Sequence, residues 1–284
     1  MANSEQKDLR VGTLNWVYRE LIPDTPNNKP PVVMLHGLVC QSYSWRDVMP
    51  ALGEYGFRSI APDWIGHGSS SKPDIRQFDY KQETYIQALS DYLDALELDR
   101  FSLVVQGFLG VTGLLYAAQN PDKIERLIIL NTPLPPTADL PFRVKMMGWP
   151  FVGDMMTQDP LLVDRTLEGA GPYQVADEDL DIYRRPFLKS SDVGRALMWT
   201  IRAMKVPQIT EQIAQGFADW QPPTLVAWGQ SDPWLSAEGA KDFANGLANG
   251  DYVGLDQVGH YAQEDWAEKV SEAIVPFLRQ QDML

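Results

Sequence analysis

The 284-residue chain has the composition of a folded globular protein, with 44% hydrophobic and 22% charged residues; this excludes disordered, collagen-like and disulfide-scaffold classes. Its formal net charge of −14 repels phosphate backbones and anionic headgroups, so we expect no nucleic-acid partner and no membrane insertion. At about 150 residues per domain, the length allows two domains or one large sheet with an inserted segment.

The cysteine and histidine counts bear on metal sites and compartment. Cys40 is the only cysteine, which excludes an internal disulfide and a multi-cysteine zinc site. With three scattered histidines, we predict no metal and no cofactor. The amino terminus lacks the basic end and apolar stretch of a secretory signal. We therefore expect a cytoplasmic location, or an organellar stroma if a transit peptide was removed.

The predicted elements alternate between strands and helices along the chain. Residues 9–21 could form a short antiparallel pair. Apolar, β-branched runs then predict strands buried on both faces at Pro31–Leu35, Arg58–Ala61, Phe101–Val105, Ile124–Leu130, Thr224–Trp228 and Tyr252–Leu255. The clearest intervening helix has apolar residues at helical spacing from Ile86 to Leu96, with Asp79 as a plausible N-cap. This alternation predicts an α/β protein with a mainly parallel sheet.

The alternation stops after residues 131–136 and resumes at residues 221–223. Six of the ten methionines fall in this interval: Met146, Met147, Met155, Met156, Met198 and Met204. Because methionine adapts its shape, they favour a lid over an apolar pocket, although an ordinary helical core fits equally well. We expect a core of residues 1–134 and 216–284, a helical cap of residues 135–215, and substrate contacts from Trp149 and Phe151.

Three motifs follow predicted strands. His36-Gly37 ends the first long strand, where turn N–H groups could stabilise an oxyanion at the carboxyl end of the sheet. The Gly- and Ser-rich loop of residues 61–70 follows the next strand, and we interpret Asp63 and His67 there as residues that fix loop geometry. At residues 103–110 a strand runs into a turn and then into a helix that begins near Phe108.

Together with Asp232 after a late strand and His260 near the carboxyl terminus, these motifs resemble the α/β-hydrolase fold over essentially the whole chain. Residues 42–45, 63–74 and 103–106 are most similar to haloalkane dehalogenases and epoxide hydrolases. The resemblance implies an α/β-hydrolase fold, with a mostly parallel central sheet flanked by helices and a helical lid inserted after the sixth strand. The Val-Val-Gln-Gly run that ends at Gly107 is similar to cyanobacterial and chloroplast members.

The chain departs from these families at the nucleophile elbow. Their strained strand-to-helix turn carries Ser, Cys or Asp, whereas this position is Gly107, which cannot be a covalent nucleophile. Glycine tolerates the unusual backbone angles, so the turn can persist without its reactive group. Leu109 replaces a usually small residue and predicts a looser turn. Cys40 is an alternative nucleophile, but we favour the interpretation of a buried, inert thiol.

The resemblance assigns the remaining site residues. Asp232 would orient His260, which would act as a general base toward water or a substrate proton; the alternative is a histidine–carboxylate bond kept for stability. Leu38 and Phe108 would supply the backbone N–H groups of an oxyanion hole. In dehalogenases these two positions often carry a halide-binding Asn and a Trp, so dehalogenation is disfavoured.

Two functions remain open at this point. The first is a hydrolase-like enzyme that acts on a small apolar molecule through His260 and Asp232 without a covalent nucleophile. The second is a non-catalytic ligand-binding or scaffold protein that kept the pocket. Gly107 favours the second function, and the intact His260 and Asp232 favour the first. The resemblance makes "hydrolase" an analogy of fold, and the sequence does not predict an oligomeric state.

Overall fold

The computed structural model describes residues 4–135 and 139–280. In this part of the chain, eight strands form one sheet in the order β1-β2-β4-β3-β5-β6-β7-β8. β1 and β2 are antiparallel, β2 pairs antiparallel with β4, and all other pairs are parallel. The strands are β1 Glu5–Val11, β2 Leu14–Leu21, β3 Val32–Leu35, β4 Ser59–Pro62, β5 Phe101–Gln106, β6 Ile124–Leu130, β7 Thr224–Gly229 and β8 Gly250–Leu255.

Helices cover both faces of this sheet. Those before the sixth strand and after the seventh are α1 Val48–Glu54, α2 Gln82–Ala95, α3 Gly110–Gln119, α10 Ala237–Gly246, α11 Ala262–Asp265 and α12 Ala267–Arg279. Between β6 and β7 lie α4 Phe142–Met147, α5 Val152–Met156, α6 Leu162–Leu167, α7 Asp177–Lys189, α8 Ser191–Ala203 and α9 Val206–Gly216. No helix in the described ranges is both long and apolar enough to cross a membrane.

The central strands separate two hydrophobic cores. Successive residues of β5 point to opposite faces of the sheet: Leu103 and Val105 belong to one core and Val104 to the other. β3 to β7 are parallel in the centre of the sheet, so their carboxyl ends lie at one edge. The loops that follow these strands therefore meet there, which is where ligands bind in open α/β sheets.

The structure confirms the predicted α/β-hydrolase architecture and the antiparallel pair near the amino terminus. Two predictions need correction. β8 is not buried on both faces, because it is an edge strand and Val253 is exposed. Asp79 is not the N-cap of α2; Lys81 occupies that position, and the Asp79 carboxylate accepts hydrogen bonds from the Lys81 N–H and the Thr84 hydroxyl.

The helices between β6 and β7 bury part of the predicted methionine cluster. Met147, Met198 and Met204 are buried, whereas Met155 is 71% exposed. α8 packs against α4, α5 and α7 and so joins these helices. Residues 136–138 of the predicted cap lie outside the described residues.

Candidate active site

The turn between β5 and α3 is built around Gly107. Its φ of +68° lies in the left-handed region that glycine adopts without steric cost. The Gly107 N–H donates to the Leu130 carbonyl over 3.2 Å, and its carbonyl accepts from the Gly110 N–H over 2.9 Å. A β-carbon built on Gly107 would lie 3.3 Å from His260 Nε2 and 3.0 Å from Gly37 Cα. The turn thus aims position 107 at the imidazole, while Gly37 leaves little room there.

His260 and Asp232 form a hydrogen-bonded pair at the same edge of the sheet. The distance from His260 Nδ1 to Asp232 Oδ2 is 2.9 Å, and each side chain is 1% exposed. The other Asp232 oxygen accepts backbone N–H bonds from residues 234 and 235. With the proton on Nδ1, the neutral ring presents a proton acceptor at Nε2. Nε2 is buried and has no hydrogen-bond partner among the described residues.

Asn131 holds Asp232 in place and was not recognised from the sequence. Its Nδ2 donates to Asp232 Oδ2 over 2.8 Å, and its Oδ1 accepts from the Gly229 N–H over 2.9 Å. Asn131 directly follows β6 and has a φ of +41°, a region that asparagine tolerates better than most residues. The sequence did carry a signal for Asn131, because it is a polar residue directly after a predicted central strand. Gly107 and Asp232 also lie shortly after strands.

Gln106 connects three loops of the site. Its Oε1 accepts from the Gly37 N–H over 3.1 Å, and its Nε2 donates to the His260 carbonyl over 2.8 Å. The family resemblance includes Gln106 in residues 103–106 but assigns no role to its side chain. A buried amide with both ends bonded fixes the Gly37 loop, the Gly107 turn and the His260 loop relative to one another.

Aromatic side chains pack against the His260 ring. Phe108 stacks on it with ring centroids 5.1 Å apart, and Trp234 packs at 4.8 Å. The Tyr261 hydroxyl donates to the Leu38 carbonyl over 2.9 Å and fixes that loop. The backbone N–H groups of Leu38 and Phe108 donate to no other described residue. Two unused donors and one unused acceptor are therefore available beside an apolar wall.

The segment between β6 and β7 contacts this site directly. The His260 N–H donates to the Ala170 carbonyl over 2.8 Å, just before α7. Trp149 and Phe151 lie farther along the surface, 45% and 87% exposed, and Trp149 packs edge-on against Phe142. This exposure gives no support to their predicted role in substrate binding, which stays a prediction.

The remaining histidines have structural surroundings. His36 Nε2 accepts from the Trp64 N–H over 3.1 Å, and burial lowers the pKa of His36 to about 4. His67 Nδ1 lies 3.3 Å from the Ile65 carbonyl oxygen, and burial lowers the pKa of His67 to about 3. Both rings are therefore neutral at pH 7. The Asp63 carboxylate accepts backbone N–H bonds from residues 42 and 69, in keeping with a role in loop geometry.

Cys40 is a poor candidate for a nucleophile in this structure. The side chain is buried, and burial raises the pKa of its thiol well above the ordinary value, so that the reactive thiolate is suppressed. In residues 4–135 and 139–280, no group of three or more His, Cys, Asp or Glu side chains is placed to hold a metal ion.

A family model described as the alpha/beta hydrolase fold matches residues 30–266. The chain belongs to the α/β-hydrolase family. It is 29% identical over 267 residues to a haloalkane dehalogenase of Mesorhizobium japonicum, covering 88% of this chain and 84% of that protein. It is 28% identical over 276 residues to a cis-3-alkyl-4-alkyloxetan-2-one decarboxylase of Shewanella oneidensis, covering 89% of this chain and 83% of that protein.

A solved structure shows the same resemblance to haloalkane dehalogenases. A crystal structure of a loop variant of a haloalkane dehalogenase from Bradyrhizobium elkanii superposes with a TM-score of 0.84 at 25% identity, covering 98% of this chain and 97% of that chain. The α/β-hydrolase fold of the chain is thereby established, and proteins named haloalkane dehalogenase are among those that it resembles.

Proposed function

We propose that this protein is a hydrolase-like enzyme that acts on a small apolar molecule through His260 and Asp232 without a covalent intermediate. Gly107 stands where related enzymes of this fold carry their nucleophile. One observation carries the proposal: His260 Nε2 is buried and unpartnered, and it lies 3.3 Å from the place of a β-carbon at position 107. Nε2 of His67 is also buried without a partner, but only His260 combines a free Nε2 with a carboxylate bonded to its Nδ1, and this combination favours a catalytic role.

The geometry supports general-base chemistry. A water molecule above Gly107 would give a proton to His260 Nε2 while its oxygen attacks a substrate carbonyl carbon. Asp232 stabilises the resulting imidazolium through the bond to Nδ1. The free N–H groups of Leu38 and Phe108 would then hold the oxyanion. With another substrate the same imidazole could remove a carbon-bound proton directly, as in a lyase or cofactor-free oxygenase reaction.

The side chains at positions 38 and 108 argue against halide release. Leucine and phenylalanine have no side-chain N–H to stabilise a departing halide, and Gly107 offers no atom to alkylate. The related dehalogenase and oxetanone decarboxylase are both named for substrates that carry alkyl groups. These names and the apolar surroundings of His260 support a small apolar substrate.

We also propose that residues 135–215 act as a cap on a core of residues 1–134 and 216–284. The hydrogen bond from the His260 N–H to the Ala170 carbonyl supports this division, because it joins the base to the inserted helices. Opening of the cap would then expose the site to substrate.

The test is turnover of small activated esters, epoxides and β-lactones by wild type and by His260→Gln. We expect the variant to lose about 10²- to 10⁴-fold in kcat/KM, the usual contribution of a general base. Intact mass measured during wild-type turnover should show no adduct. Cys40→Ala is the matched control, since it removes the other candidate nucleophile and should retain activity.

Activity that survives His260→Gln, or an adduct on Cys40, would contradict this mechanism. The second candidate, a non-catalytic ligand-binding or scaffold protein, is favoured by the absence of a side chain at Gly107. It predicts that no substrate in the panel turns over, while native mass spectrometry of freshly purified protein detects a co-purified apolar ligand in wild type.

A further inference from the structure

A crevice of about 400 Å³ lies between the sheet edge near β2 and helix α7, and its lining excludes His260 and Asp232. Four cationic side chains line it: Arg19, Lys72, Arg185 and Lys189. We call this site the basic crevice. This concentration of positive charge contrasts with the net charge of −14 of the whole chain.

The charges of the basic crevice are poorly compensated by the protein. The only acidic residue in its lining is Asp63, and both oxygens of Asp63 already accept backbone N–H bonds. Arg19, Arg185 and Lys189 form no ion pair with any described residue. Arg19 packs on the Tyr43 ring, 5.1 Å from its centroid, and its Nε is buried with no acceptor among the described residues.

Lys72, like Arg19, is a partly buried cation of the basic crevice. Its Nζ donates to the carbonyls of Gly68 over 2.7 Å and Ser70 over 2.5 Å, which leaves one of its three N–H donors unused. Burial lowers the pKa of Lys72 to about 8, although Asp63 and Asp192 raise it in part. A bound anion would compensate this buried ammonium and would accept the remaining N–H.

We propose that the basic crevice binds a small phosphate-bearing anion from solution. A phosphate group carries nearly two negative charges at pH 7 and several acceptor oxygens, which suits a crevice lined by guanidinium and ammonium donors. Arg185 and Lys189 stand one turn apart on α7, whereas Arg19 lies on β2 and Lys72 in the loop after β4. The anion would therefore join α7 of the inserted helices to the sheet.

The test is calorimetric titration of the full chain with pyrophosphate and with inorganic phosphate at constant ionic strength. We expect one site per chain and a rise in the melting temperature on binding. Arg185→Gln/Lys189→Gln should weaken pyrophosphate binding about tenfold or more. Both side chains are exposed, so the double variant should fold. Arg143→Gln/Lys241→Gln removes two other exposed cations and should leave the Kd unchanged.

Absence of any heat of pyrophosphate binding, or an equal Kd in the two double variants, would overturn the proposal. A third measurement separates a free anion from a lipid headgroup. Binding to vesicles that contain an anionic phospholipid, without binding of pyrophosphate, would also overturn it. The titration does not involve the chemistry at His260, so its outcome is independent of the enzymatic proposal.

Discussion

Gly107 is subject to two separate constraints at the scale of the residue. Its positive φ disfavours every side chain, and a β-carbon there would lie 3.0 Å from Gly37 Cα, which is a backbone atom that cannot rotate away. Gly12 has a similar φ of +58°, but nothing lies within 4 Å of its β-carbon position. A comparison of substitutions at the two glycines therefore separates the free-energy cost of the backbone angle from the cost of crowding.

We expect Gly107→Ala to lower the free energy of unfolding by about 1–3 kcal/mol more than Gly12→Ala, the usual range for overpacking in a well-packed region. Both substitutions share the cost of a positive φ. Urea denaturation of the two variants and wild type measures the difference. Equal losses would mean that the Gly37 loop moves freely and that the site is not adapted to glycine.

At the scale of the element, the short helix α11 connects the site to the inserted helices. The side chain of Glu264 on α11 is only 2% exposed, and both of its oxygens accept from Arg46 at 2.8–2.9 Å. The Tyr183 hydroxyl of α7 also donates to Glu264, and Arg46 reaches Asp179 at the start of α7. A buried carboxylate with this many donors fixes α11, and with it the His260 loop that precedes α11.

Asp265, on the same helix, makes the stability of the fold depend on pH. Burial raises the pKa of Asp265 from 3.8 to about 6, although its Oδ2 accepts the Gly259 N–H over 2.6 Å. The folded state therefore retains this proton more tightly than the unfolded state does. The contribution of Asp265 to the free energy of unfolding is fully present below about pH 4 and is lost as the pH rises to about 6.

We expect Asp265→Asn to remove this loss, because asparagine cannot ionise and can still accept the Gly259 N–H. The unfolding free energy of the variant minus that of wild type should increase by about 2–3 kcal/mol between pH 4 and 7. Chemical denaturation at several pH values measures it, with the exposed Asp242→Asn as the baseline for losing one carboxylate. A difference that falls with pH would contradict the burial of a neutral Asp265.

At the scale of the whole molecule, the sequence predicted the features that depend on periodicity and on chain order. Apolar runs located the central strands, and glycine after β5 indicated a tight turn. The juxtaposition of Asp232 and His260 followed from the resemblance, and the structure places His260 Nδ1 2.9 Å from Asp232 Oδ2. Features that depend on which loops touch were not predictable from one sequence.

Asn131, Gln106 and the Ala170 carbonyl illustrate this limit. Their partners lie 98 residues, 154 residues and about 90 residues away in the chain, and no local pattern marks such pairs. The edge position of β8 was missed for the same reason, because the number of strands beyond it is a property of the complete sheet. The basic crevice likewise joins residues of β2, a loop and α7.

The last prediction concerns a nucleophile introduced at position 107. The fold superposes on a haloalkane dehalogenase with a TM-score of 0.84, and a β-carbon at position 107 would lie 3.3 Å from His260 Nε2. We expect Gly107→Ser to be acylated slowly by a small activated ester. The serine oxygen would attack the carbonyl carbon, its proton would pass to His260 Nε2, and the alcohol would leave.

Two features make this acylation slow rather than fast. The backbone angle at position 107 and the nearby Gly37 Cα both strain any side chain, at a cost of order 1–3 kcal/mol. The readouts are a burst of released alcohol and a mass increase of one acyl group. Gly107→Ser/His260→Ala is the matched control and should show neither. If Gly107→Ser keeps His260 within hydrogen-bond reach in a crystal structure and still gives no burst, the site has diverged beyond its nucleophile, and a binding protein becomes the better description.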